Sequence, residues 1–297
     1  MLKNITMINT KKIYFFFLKT FIILIFIIAC LELIVRFLGI ADIPIRLANK
    51  ELGYIPQANQ EGRFLDNNWV FNDLHMNSLN NFSYTGNEIL ILGDSVIWGG
   101  NRLDQKERIG KLINDLSRKK NIFIVADISW SFKNQILYII KFENLFKKVD
   151  KIIFVLNSSD FEKPSSWRCF HYHPTNKPKI HLYFALKKYV LKTECPDYNS
   201  SNFLVPDFEI EDGLSLIKSR LPSTSLELLL FQTKEEFSKL QSLKQKIAKY
   251  KDKFVKIHEI IDFKNFWSLD FYSDAIHLNK RGTKNLANII YENFIMK

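Results

Sequence analysis

The chain has 297 residues, 47% of them hydrophobic and 26 of them phenylalanine, which fits one sizeable domain with a real core, or one domain with a small insert. The net charge of +11 extends through the chain beyond a small N-terminal cluster. Such a charge could favour anionic envelope polymers or nucleic acid, but with no nucleic-acid motif and no concentrated Arg stripe no nucleic-acid partner is expected, and it reads as a solvated basic surface.

Residues 13–40 are almost wholly apolar, broken only by Lys19, Glu32 and Arg36. About 23 of them suffice to cross a bilayer core of ~30 Å, and the charges near the ends can snorkel to the interface. The lysines Lys3, Lys11 and Lys12 precede the segment, so the positive-inside rule predicts a cytoplasmic tail over 1–12, a single-pass anchor over 13–40, and everything after it periplasmic or extracellular. A cleaved signal peptide and a buried core helix are the alternatives. Ile27-Ile28-Ala29-Cys30 also fits a loose lipoprotein box with Cys30 as the lipidated residue, although Leu31–Ile40 stays hydrophobic where a lipoprotein has a polar tether.

Residues 41–87 show little regular periodicity and read as a linker. From residue 88 a βα rhythm begins. A strand is predicted at Glu88–Leu92, a helix at Gln105–Arg118 with Ile109, Leu112, Ile113 and Leu116 on one face, and a strand at Ile122–Ala126. A helix at Asn134–Lys147 and an apolar strand at Lys151–Leu156 follow. Alternating strands and helices imply a parallel sheet covered on both faces.

Residues 161–223 break the rhythm and read as an irregular insert in an 88–297 domain. The insert holds Cys169 and Cys195, which an oxidising compartment would join in a disulfide, the alternative being two unrelated thiols. It also holds His171, His173 and His181; His171-Tyr172-His173 has no third ligand at a regular spacing, so a surface loop is expected rather than a metal site. Leu226–Tyr250 reads as helical, Phe254–Ile260 as a strand, and Gly282–Ile295 as the closing helix.

Two short motifs carry chemistry. Gly93-Asp94-Ser95 follows the first strand of the rhythm, and Asp274-Ala275-Ile276-His277 precedes the closing helix. A serine on a sharp strand-to-loop turn, with a distant Asp and His three residues apart, is the raw material of a nucleophilic triad: Ser95 as nucleophile, His277 as base, Asp274 holding the imidazole in the required tautomer. Asp94 reads as a turn-capping carboxylate that fixes the Ser95 loop. Gly99-Gly100 either admits substrate to the backbone or makes a plain turn, and Trp98 and Trp130 either stack on sugar rings or pack at the sheet edge.

In these two blocks, and in the continuation His277-Leu278-Asn279-Lys280-Arg281-Gly282, the chain resembles the SGNH/GDSL hydrolase superfamily. The resemblance covers about residues 88–160 and 253–295. It implies an α/β, three-layer α/β/α, flavodoxin-like parallel sheet, here preceded by one N-terminal transmembrane helix, with ligand at the carboxyl edge of the strands. It also implies serine-dependent acyl transfer with an oxyanion hole built from the Ser95 N–H, a glycine N–H of a second block and an Asn side chain of a third. The sequence departs from that pattern. Its second block reads Asp127-Ile128-Ser129-Trp130-Ser131-Phe132-Lys133-Asn134 without glycine, leaving the N–H groups of Ser131 or Phe132. Its third block reads Asn157-Ser158-Ser159-Asp160, with Ser159 in the Asn place and Asn157 available only if the loop shifts.

Glu51-Leu52-Gly53-Tyr54-Ile55-Pro56 and Asn72-Asp73-Leu74-His75-Met76-Asn77-Ser78 resemble the stretch before the domain in membrane-anchored SGNH proteins of bacterial surface-polysaccharide loci. The implied activity is an ester hydrolase or O-acyl (O-acetyl) transferase on an acylated cell-envelope glycan, working with envelope acyltransferase or polysaccharide machinery. The alternative is a catalytically silent scaffold of the same fold that binds glycan or an assembly partner. No phosphate-cradling glycine loop and no metal set is present, so no cofactor is expected.

Overall fold

The computed structural model describes residues 2–117, 119–195 and 204–296, with side chains from residue 12 onward. Helix α1 (Leu2–Phe37) comes first. Over Lys12–Phe37 it is apolar and its side chains are almost all exposed, so it is not a core helix of this chain. Its 26 residues rise about 39 Å, long enough to cross a bilayer; a signal sequence has the same character.

The stretch 41–87 is more regular than its sequence suggests. It forms two antiparallel hairpins, β1 (Arg46–Asn49) with β2 (Gly53–Pro56), and β3 (Gln60–Phe64) with β4 (Asn67–Phe71). The strands are too short, and too mixed in polarity, to show a clear alternation. Gly53 is obligatory: it has φ +79°, and a Cβ there would lie 2.1 Å from the Ser165 carbonyl oxygen.

The main sheet contains β5 (Glu88–Gly93), β6 (Asn121–Ala126), β7 (Lys151–Leu156), β8 (Ser225–Leu230) and β9 (Lys256–Glu259). All pairings are parallel, in the order β6-β5-β7-β8-β9. In chain order this is 2-1-3-4-5, the flavodoxin-like winding, whose switch point lies at the carboxyl ends of β5 and β7.

The helices α3 (Ile109–Leu116), α4 (Phe132–Lys141), α6 (Ile210–Arg220) and α8 (Lys280–Ile290) cover the sheet; the short α2 (Ser95–Trp98), α5 (His181–Ala185) and α7 (Lys234–Ser238) lie in the connections. Because alternate strand residues face opposite ways, two cores form. Leu90, Leu92, Phe123, Phe154 and Leu228 pack with Ile136 and Ile139 of α4 and Leu214 and Ile217 of α6. Ile89, Ile91, Ile124, Ile153 and Leu229 pack with Ile109 and Ile113 of α3 and Leu286 and Ile290 of α8.

Several expected boundaries move. Leu226–Tyr250 is not a helix: its apolar start is strand β8, buried on both faces, and only Lys234–Ser238 and one short 3-10 turn, Lys244–Ile247, are helical. The expected Gln105–Arg118 helix is a 3-10 turn at Gln105–Glu107 followed by α3; Arg118 lies outside the described residues. Within 161–223, α6 is a regular helix packed on α4, and the irregular part ends before it. Cys169 and Cys195 are disulfide-bonded, 26 residues apart, and the loop they close carries α5. In the chain-entropy model such a closure contributes roughly 3 kcal/mol.

The linker is locked to the sheet by one buried ion pair. Arg46 on β1 and Asp127 at the end of β6 are 2% and 0% exposed, and Arg46 Nε donates to Asp127 Oδ1 and Oδ2 at 2.8 and 2.9 Å. Burial pushes the Asp127 carboxyl above its usual range and the guanidinium pulls it back. Removing one partner strands the other in a dry site. Arg46→Ala is therefore expected to cost about 3–5 kcal/mol, and Arg46→Ala/Asp127→Ala distinctly less than the sum of the singles, in denaturant unfolding of the detergent-solubilised chain. Additive losses would mean that the two side chains are not coupled.

Candidate active site

Strand β5 ends in Gly93, where a Cβ would fall 2.4 Å from Ile97 Cγ1, so only glycine lets the chain turn tightly into α2. Asp94 caps that helix, its Oδ1 accepting from Val96 N at 2.8 Å. Ser95 then stands at the carboxyl edge of the sheet, beside the switch point.

The partner loop is built as compactly. Tyr272 and Leu278 form an antiparallel bridge, and Ser273 N donates to the His277 carbonyl at 2.8 Å. Within the turn Asp274 Oδ1 accepts from the N–H of Ile276 and of His277, at 3.0 and 2.8 Å. The structure brings the three motif residues together across 182 positions of sequence: Ser95 Oγ lies 2.9 Å from His277 Nε2, and His277 Nδ1 lies 3.0 Å from each Asp274 oxygen. With Asp274 accepting from Nδ1–H, Nε2 is left as the acceptor for the Ser95 hydroxyl. Partial burial opposes ionisation of Asp274, but the two backbone donors and the His277 ring outweigh it and hold the carboxyl well below the usual range. Arg102 adds a further contact, Nη1 lying 2.8 Å from Asp274 Oδ2 and 3.0 Å from Ser273 Oγ.

The second and third blocks do not surround the serine as expected. Ser95 lines a cleft of about 310 Å³, but Ser131, Phe132, Asn157 and Ser159 do not. Ser131 is committed to the cap of α4, its N–H and Oγ both bonded to Asn134 Oδ1 at 3.1 and 2.9 Å, and the Phe132 ring is core. Asn157 lies beneath the turn, its Nδ2 donating to Asp94 Oδ2 and to Asp160 Oδ2, each at 3.0 Å. Ser159 donates to Asn157 Oδ1 at 2.6 Å. The Ser131 N–H and the Asn157 and Ser159 side chains are thus already engaged, and of the expected oxyanion set only Ser95 lines the cleft.

What does line it had little signal in the sequence. The floor is Trp98, with the guanidinium groups of Arg46 and Arg108 over its ring at 5.3 and 5.5 Å. Arg108 also donates to the carbonyls of Trp98, Gly100 and Leu103, which shapes the rim. Trp98 and Trp130 are both buried and act in packing. Opposite the triad the cleft wall carries Phe64, Lys188 and Tyr189. Burial and the field of Arg46 bring the Lys188 ammonium down to about 8, and it donates to the His171 carbonyl at 2.8 Å. Arg46, Arg102 and Lys188 all line the cleft, Arg46 paired with Asp127 and Arg102 with Asp274. Only Arg102, seven residues after the motif serine, was within reach of a motif-based search.

His173 is buried and stacked on Tyr54 at 3.9 Å, its Nδ1 accepting from Arg168 N at 3.0 Å, and His171 is stacked near Phe184. Among the described residues no group of three or more His, Cys, Asp or Glu side chains is placed to hold a metal.

No family model matches the chain, and no curated protein matches it. Among solved structures it is similar to a member of the lipolytic protein G-D-S-L family from Veillonella parvula DSM 2008, at 13% identity and TM-score 0.41, over 70% of this chain and 97% of that one. A carbohydrate esterase aligns at 13% identity and TM-score 0.40 over 74% of this chain and 70% of its own. An acetyl xylan esterase, Est2A, from the rumen bacterium Butyrivibrio proteoclasticus aligns at 11% and 0.36, over 72% and 65%. The sheet order and the covering helices are this chain's own, and they make its fold a flavodoxin-like three-layer α/β/α fold.

The acids beneath the turn set a pH dependence. Burial raises Asp94 from 3.8 to about 6, against the Val96 N–H, His277 and Asn157; burial, and then Asp94 itself, pushes Asp160 well up. The folded state thus holds a proton on Asp94 that the unfolded chain has released. The stability this contributes is full below about 3.8 and is lost as pH rises through about 6. Denaturant unfolding of the wild type is expected to weaken across that window, and that of Asp94→Asn to weaken less, the two curves diverging by about 3 kcal/mol. Parallel curves would show that Asp94 does not titrate there.

Proposed function

We propose that the chain is a serine esterase or O-acyltransferase acting on an acylated glycan of the cell envelope. The observation that carries this reading is the continuous line of hydrogen bonds from Asp274 through His277 to Ser95 Oγ at the mouth of a cleft. In the proposed mechanism Ser95 Oγ attacks the ester carbonyl while His277 Nε2 takes its proton. The tetrahedral oxyanion is met by the Ser95 N–H, and collapse expels the alcohol, which takes the proton back from His277. Water or a sugar hydroxyl then attacks the acyl-serine by the same route in reverse. Asp274, held ionised by its backbone donors, keeps the ring oriented and stabilises the imidazolium. Arg102 positions Asp274 from outside.

The glycan assignment is supported by the resemblance in 51–78. The anchor supports an envelope location: with Lys3, Lys11 and Lys12 ahead of the apolar stretch of α1, the positive-inside rule puts the N-terminus in the cytoplasm and the cleft outside. The disulfide between Cys169 and Cys195 fits an oxidising compartment. One observation favours a second reading, a scaffold of the same fold without turnover: the Asn157 amide is engaged by Asp94 and Asp160, which leaves the oxyanion with few donors, each typically worth about 3–4 kcal/mol.

A fluorophosphonate probe separates the two. Ser95 is expected to label in the wild type and not in Ser95→Ala. Ser95→Ala and His277→Ala are each expected to lower kcat/KM on an acetyl ester by on the order of 10³-fold or more, with the double variant little worse and Asp274→Asn milder. An unlabelled Ser95 in folded protein would leave the scaffold. For topology, protease added to intact spheroplasts is expected to degrade the chain beyond residue 40; protection until lysis would reverse the orientation.

A further inference from the structure

At Phe64 and Tyr189 the cleft adjoins a second depression. Their rings, 6.2 Å apart, line both the cleft around Ser95 and this depression of about 360 Å³. The second one is almost wholly apolar. Its walls are Val35 and Ile40 at the C-terminal end of α1, Leu65 after β3, and Leu182, Leu186 and Val190 along the insert helix.

Its position is fixed by polar contacts rather than by a loose tether. Glu32 of α1 accepts from His181 N and Leu182 N, at 3.0 and 2.7 Å, and so caps α5. Arg36 pairs with Glu32 at 2.7 Å and donates to the Lys179 carbonyl at 2.5 Å. The insert helix is thus pinned to the last turns of the anchor. Nearby Tyr183, Val190 and Leu191 stay exposed at 56%, 67% and 68%, interleaved with Lys187 and Lys192. Exposed apolar groups alternating with lysines, held beside a membrane-crossing helix, are the composition of an element lying at the headgroup level.

We propose that this groove holds the hydrocarbon chain of an amphiphilic ester resident in the bilayer, whose polar part reaches Ser95 past Phe64 and Tyr189. The occupant is a lipid chain because the groove lies at the C-terminal end of α1, is lined by apolar atoms and adjoins the catalytic cleft through Phe64 and Tyr189. The proposal rests on the esterase reading and narrows its substrate: the ester is delivered from the membrane, by an amphiphile whose chain docks first.

Full-length protein in lipid nanodiscs, containing a phospholipid with a photoreactive diazirine in its acyl chain, tests the groove without turnover. After irradiation, adducts are expected on the 182–190 segment as well as on α1, equally in wild type and Ser95→Ala. Adducts confined to α1 would overturn the groove. Ala185→Trp, which fills the groove, is expected to lower the 182–190 adduct at least fivefold relative to that on α1. In parallel, the kcat/KM ratio for a long-chain over an acetyl ester is expected to exceed tenfold in wild type and to collapse in Ala185→Trp. Acetyl-ester turnover with no groove adduct would sink the groove and spare the esterase reading. Groove adducts with no fluorophosphonate labelling and no turnover of any ester would overturn the substrate assignment together with that reading, leaving a lipid site alone.

Discussion

The paired charges of Arg46 and Asp127 are the constraint on which the rest of the molecule depends. A bidentate ion pair with both partners buried is a poor source of net stability but severe on any arrangement that separates its members. It therefore specifies geometry: the hairpin β1–β2 has one place to go, the carboxyl end of β6. From there the Arg46 guanidinium lies over Trp98, the floor of the cleft, and Arg108 closes the other side of the ring while holding the rim by three carbonyls. The linker between anchor and domain is thereby part of the site.

The same economy governs the turn that presents Ser95. Asp94, Asn157 and Asp160 form a buried relay in which one amide faces two carboxylates. Two carboxylates this dry cannot both carry charge at ordinary cost, so the turn is supported by a proton retained within the pair rather than by a conventional salt bridge. That support explains why the third block holds the amide beneath the serine instead of beside it.

The two motifs were legible because each sits at the end of an element whose own pattern is strong: Glu88–Leu92 is a buried parallel strand, and the closing helix has a clear apolar stripe. That the sheet is parallel and covered on both faces followed from the βα rhythm, and its flavodoxin-like winding from the resemblance. What failed did so for physical reasons. Leu226–Leu230 is a short all-apolar run, and such a run has no period to tell a doubly buried strand from a helix; the polar residues after it extended the wrong choice to Tyr250. The hairpins of 41–87 are four- and five-residue strands whose partners and packing are tertiary. Arg46 and Lys188 gave no local sign at all, since the groups that define them lie 81 and 17 residues away. The oxyanion candidates were read from register, and register says nothing about which neighbour already holds an amide.

The cap that Glu32 places on α5 has a consequence for how the molecule searches. A domain on a slack tether samples a hemisphere above the bilayer and meets soluble polymer from any direction. Here the carboxylate of the anchor is bonded to the backbone of the domain, so rotation of the helix about its own axis carries the whole domain with it. With α1 in the bilayer, as proposed, the serine operates at a set altitude and bearing, and encounter becomes a planar problem. Partners are then met by lateral diffusion, at a frequency governed by their surface density rather than by their concentration in the surrounding fluid.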